Sequence, residues 1–152
     1  MDGGEKSITI GMTKLSQYFS LAEMTVTSTG LNNTPNTQQL AILTGTAQAM
    51  DAVRKLLGSP IRVNSGFRSA AVNRKVGGSP TSAHALGYAV DFVCPAFGDP
   101  MAICRAIVAS GIKFDQLIME RNQWVHISFD PRMRGQVLSW WGGAYKSGLV
   151  GK

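Results

Sequence analysis

Ser82-Ala83-His84-Ala85-Leu86-Gly87-Tyr88-Ala89-Val90-Asp91 places an imidazole and a carboxylate seven residues apart. Residues 79–85 read as a loop or helical turn, and Tyr88 to Val93 as a strand. The chain therefore changes element between the two side chains. The only other histidine, His126, stands in Trp124-Val125-His126-Ile127-Ser128, within a strand expected from Trp124 to Phe129. A turn carrying His84, a strand carrying Asp91 and a neighbouring strand carrying His126 can meet at one point. The chain between Asp91 and His126 has room for that return. Asp99 caps a helix from Pro100 to Ser110, with proline at the tolerated first position. Phe114 to Glu120 reads as a strand, joined to the next by the turn Arg121-Asn122-Gln123. Two neutral imidazoles and one ionised carboxylate suit zinc, and three protein ligands leave one corner of its tetrahedron open. His84 and Asp91 alone would carry little weight, because a histidine near a strand is more often structural. It is the second histidine that completes a ligand set.

Upstream, Ile61-Arg62-Val63-Asn64-Ser65 alternates apolar and polar as a half-buried strand does. Gly66-Phe67-Arg68-Ser69 turns out of it, and Ser69 to Val76 forms a short helix ending at Gly77-Gly78. The strongest helix runs from Gln39 to Leu57. Leu40, Leu43, Ala47, Met50, Val53, Leu56 and Leu57 fall near a 3.6-residue period, and Gly58 and Pro60 stop it. Thr25 to Gln38 is polar and contains Pro35, so it reads as a loop. Before it, Ser20 and Glu23 fit a capping box, with Phe19 and Met24 placed as a hydrophobic staple. The segment from Trp140 to Tyr145 carries few signals.

The chain has 152 residues, 44% hydrophobic and 16% charged, as expected for one globular domain over 1–152. No apolar run is long enough for a transmembrane helix. Met1-Asp2-Gly3-Gly4-Glu5-Lys6 lacks the pattern of a signal peptide, so nothing there explains export and synthesis in a cytoplasm is expected. Cys94 and Cys104 sit among apolar neighbours without CxxC spacing, and read as reduced, inert hydrophobes. The net charge of +6 favours polyanions. The basic residues form no run and no nucleic-acid motif, so nucleic acid is not an expected partner.

An open three-ligand site is the layout of a hydrolase, which also needs a proton carrier and a cation for the developing oxyanion. Glu120 precedes His126 by six residues across a short turn, so both can point into one cleft. Arg68 sits at a strand exit, and Ser82 could bind a substrate carboxylate. Each has a plainer alternative: a surface glutamate, a solvated arginine and a serine closing its own turn.

Together the stretches Ser65–Ser69, Ser82–Asp91 and Trp124–Ser128, with the opening Phe19–Met24, resemble the zinc D-alanyl-D-alanine carboxypeptidase family. That family includes dipeptidases and phage peptidoglycan endopeptidases. The likeness covers roughly residues 15–148. It implies a small α+β fold shared with the hedgehog signalling domain, with a central antiparallel sheet and flanking helices. It implies one zinc ion held by His84, Asp91 and His126, with Arg68 near the substrate carbonyl and Ser82 near a substrate carboxylate. Many members carry an acid three residues before the last histidine, where this chain has Gln123. Others place it further upstream, matching Glu120. The implied substrate is the peptidoglycan stem peptide, cut beside a D-amino acid, either as a carboxypeptidase or as an endopeptidase. A monomeric phage or prophage endolysin, acting at the wall after release, is the expected setting. The alternative is a non-catalytic zinc-containing wall-binding or virion module.

Overall fold

A computed structural model describes residues 13–152; the reading of Met1–Lys6 lies outside them. Among the described residues five helices and six strands follow one another as α1 (Leu21–Met24), α2 (Thr37–Leu57), β1 (Arg62–Ser65), α3 (Ala70–Lys75), α4 (Ala83–Leu86), β2 (Ala89–Val93), α5 (Pro100–Ser110), β3 (Gln116–Glu120), β4 (Trp124–Ser128), β5 (Gln136–Trp140) and β6 (Tyr145–Ser147). The strands form one sheet in the order β1-β2-β4-β3-β5-β6. The fold is α+β, as the resemblance implies. Every pairing is antiparallel except β3 with β5, which is parallel.

One face of the sheet is the core. Val90, Phe92, Leu117, Met119, Val125 and Ile127 alternate with outward-facing neighbours and pack beneath α2 and α5. Helix α2 buries Leu43, Thr46, Ala47, Met50, Val53 and Leu57. These recur at helical spacing on one side, whereas Leu56 points out, 37% exposed. The helix starts two residues earlier than its apolar pattern suggests, because Asn36 and Gln39 form a reciprocal capping box. Helix α5 has the expected bounds, with Asp99 accepting a hydrogen bond from the Ala102 amide at 2.8 Å. The capping box of Ser20 and Glu23 is present in α1, and Phe19 and Met24 are both buried. Cys94 and Cys104 are free and buried, and burial pushes the Cys104 thiol up to about 12.

The other face is left to polar chemistry. Residues 116, 118 and 120 of β3 and 124 and 126 of β4 point away from the helices. The opposite wall comes from the segment between β1 and β2, which must be held over the sheet. Asn33 does much of that holding. Its side-chain amide donates to the Thr25 carbonyl at 2.9 Å and the Phe67 carbonyl at 2.8 Å, and its oxygen accepts from the Ser69 amide at 2.7 Å. Asn33 lies in the stretch read as a plain polar loop, yet it is only 8% exposed. Asn33→Ala would orphan buried backbone groups and is expected to cost about 2–4 kcal/mol, read as a fall in urea midpoint at unchanged m-value.

Candidate metal centre

Each side chain of the ligand set expected from the sequence is placed by a local reason. His84 sits inside α4, which Ser82 caps by accepting a hydrogen bond from the His84 amide at 3.2 Å. Gly87 ends that helix with φ of 94°, a left-handed conformation that turns the chain directly into β2. Asp91 then emerges on β2 opposite His126 of β4, the two being direct antiparallel partners. Beyond His126, Ile118 and Glu120 continue the same outward face on β3.

The polar atoms converge. His84 Nε2 lies 3.1 Å from Asp91 Oδ1, and His126 Nδ1 lies 2.9 Å from the same oxygen. One ligand atom from each residue falls within 4.8 Å of the others. The His84 ring is 3% exposed, and its Nδ1 donates to the Gly66 carbonyl at 2.8 Å. A carbonyl can only accept, so this bond fixes the proton on Nδ1 and turns Nε2 toward Asp91. Gly66 has its own reason to be glycine: a Cβ there would run into the backbone carbonyl of Met24. Burial alone would raise the Asp91 carboxyl, but the charge of His84 and hydrogen bonding with His126 and His84 hold it well below the usual carboxylate range.

Arg68 stands beside this cluster. Its Nη2 is 3.6 Å from Asp91 Oδ2, and its Nε donates to Ser65 Oγ at 3.1 Å. Its backbone amide donates to the His84 carbonyl at 3.0 Å, which ties the Gly66–Ser69 turn to α4. The guanidinium side chain is 18% exposed, enough to meet a bound molecule. Glu120 is half-buried. Burial raises its carboxyl above the ordinary glutamate value, and Asp91 adds to this, while His126 and Arg121 oppose it.

All six residues singled out in the sequence, His84, Asp91, His126, Glu120, Arg68 and Ser82, line one cleft of about 400 Å³. Gln123 does not. It closes the β3–β4 turn, its amide donating to the Glu120 carbonyl at 2.8 Å, and it faces a separate groove beside Arg62, Val93 and Pro100. Sequence reading missed three contributors: the Gly66 carbonyl orients His84, and Trp124 and Tyr145 also line the cleft. Only the pairing of strands reveals the latter.

The model of the Peptidase M15 family matches residues 17–128, a span that holds all three converging side chains. This chain belongs to the peptidase M15 family. It is a zinc metallopeptidase, as membership in a zinc-dependent family entails. No curated protein matches the chain significantly. The donor set fits zinc on its own chemistry. The lone-pair nitrogens of two neutral imidazoles and the oxygen of an ionised carboxylate are all acceptors, and acceptors this close need a cation between them, whether protons or a metal ion. Among the described residues no helix is long and apolar enough to cross a membrane.

Proposed function

We propose that this M15 peptidase hydrolyses the peptidoglycan stem peptide beside a D-amino acid, using His84, Asp91 and His126 as its zinc ligands. The observation that carries the ligand assignment is the convergence of His84, Asp91 and His126, one ligand atom of each lying within 4.8 Å of the others. When bound, zinc supplies a Lewis acid that polarises the scissile carbonyl and acidifies the attacking water. Glu120 takes the proton from that water and returns it to the leaving amine; its raised carboxyl suits a group that must both accept and give. Arg68 holds the carbonyl oxygen as it becomes negative, and its link to Asp91 keeps the guanidinium aimed at the cleft. Ser82 spends a lone pair on the His84 amide, so its hydroxyl proton is free for a substrate carboxylate.

The net charge of +6 supports an anionic cell wall as the place of action, and a phage or prophage endolysin is the setting we favour, acting as a single domain and as a monomer. Mass spectrometry of muropeptides after digestion tests the substrate. Loss of one alanine mass identifies a carboxypeptidase, and conversion of dimers to monomers an endopeptidase. Muropeptides unchanged by zinc-loaded protein would contradict the peptidoglycan reading.

A further inference from the structure

Resting on that reading, we propose that Tyr145 is a further substrate-contacting residue, its phenol donating a hydrogen bond to the peptide from the side of the cleft opposite Arg68. Tyr145 lies on β6, beyond the residues 17–128 that the family model matches. Strand pairing places it in a row across the sheet. Glu120 pairs with Trp124 on one side and with Trp140 on the other, and Trp140 pairs with Tyr145. Paired residues share a face, so this row lies one step along the strands from the row of Asp91, His126 and Ile118. Arg68 follows β1 at one edge of the sheet and Tyr145 stands on β6 at the other edge. The two flank the convergence of His84, Asp91 and His126, and both line the same cleft.

Tyr145 is 55% exposed, so its phenol is open to a molecule bound in the cleft. It is nonetheless held. Its ring leans on Trp140 with centroids 4.6 Å apart. The turn before it passes Gly142 and Gly143 at positive φ and is pinned by the Arg121 amide, which donates to the Trp140 carbonyl at 2.7 Å. Behind it, Trp141 Nε1 donates to the Val150 carbonyl at 3.0 Å. Partial burial and the negative charges of Glu120 and Asp91 raise the phenol, so its proton stays on oxygen and available for donation.

Tyr145→Phe keeps the ring and removes only the hydroxyl, and Tyr145→Ala removes both. Each is assayed beside the parent on a defined stem peptide, with zinc content and thermal midpoint measured in parallel. We expect Tyr145→Phe to bind one zinc and melt with the parent, and to lose about 10- to 100-fold in kcat/KM, mostly in kcat. Its acid limb should stay where Glu120 sets it. A loss of fivefold or more with zinc retained bears the proposal out. A smaller loss, or a displaced acid limb showing that Tyr145 works through Glu120, overturns it. A parent protein that leaves the stem peptide intact overturns the peptidoglycan reading and this proposal with it. An active parent with an equally active Tyr145→Phe overturns the role of Tyr145 alone.

Discussion

Glu120→Gln is expected to bind zinc as the parent does and to lose about 10²- to 10⁴-fold in kcat, the range for a removed general acid–base. The amide fills the same volume at the end of β3 but cannot carry a proton. The pH profile gives the same assignment a sign. Burial raises the Glu120 carboxyl above the ordinary glutamate value, about 4.3. The carboxylate must be ionised to accept, so kcat/KM of the parent should fall as pH drops through a value above that ordinary one. That limb should be missing from the residual activity of the variant. Stability should move the other way. A carboxyl whose folded pKa is raised binds its proton more tightly when folded, so its stabilising contribution is present at low pH and lost as pH rises through the folded value. Glu120→Gln should therefore be no less stable than the parent at neutral pH. Gln123→Ala serves as the control, because Gln123 faces another groove and its loss should leave kcat within about twofold. If Gln123→Ala were the inactive variant and Glu120→Gln the active one, the acid–base assignment would be wrong.

The second large effect concerns the metal. His126→Ala removes one of three ligands and opens the remaining pair to solvent, and His84→Ala does the same from the α4 side. Both are expected to fall from about one bound zinc per chain toward none, with activity reduced about 10³-fold or more. Stability separates a ligand from a bystander. Zinc that binds only the folded chain stabilises it by about 2.7 kcal/mol at a hundredfold excess over Kd, so a chelator should lower the melting midpoint of the parent. The same chelator should leave His126→Ala unmoved. A chelator shift of equal size in both proteins would mean that the ion sits elsewhere.

The elements that bring His84, Asp91 and His126 together are largely legible in the sequence, and the reason is local. Asp99 and Pro100 set the start of α5 whatever surrounds them, Ser20 and Glu23 do the same for α1, and the apolar alternation of Val90, Phe92, Val125 and Ile127 marks core strands. With those elements fixed, His84, Asp91 and His126 had few places to go. What escaped was decided by distant partners. Strand β5 puts Ser139, fully buried, where an apolar residue is expected. Its hydroxyl donates to the Gly148 carbonyl at 2.7 Å and accepts from the Val150 amide at 3.0 Å. That satisfied polar position breaks the pattern a strand reading needs. Strand β6 is exposed at all three residues and so carries no alternation. The parallel β3–β5 pair, unlike the antiparallel sheet expected, depends on where residues 129–135 carry the chain, which no short-range rule specifies. Asn33 looks like any loop asparagine until the Phe67 carbonyl arrives beside it. The start of α2 is different: Asn36 and Gln39 form a capping box whose signal was present in the residues and simply outweighed by the apolar period beginning later.

Anomalous diffraction at the zinc absorption edge, from crystals of the zinc-loaded protein, addresses the ligand assignment most directly. A single strong peak bonded to His84 Nε2, Asp91 Oδ1 and His126 Nδ1, within reach of Glu120 and Arg68, is the predicted result. A peak bonded to other side chains, with those three atoms turned away from it, would contradict the site from its ligands outward.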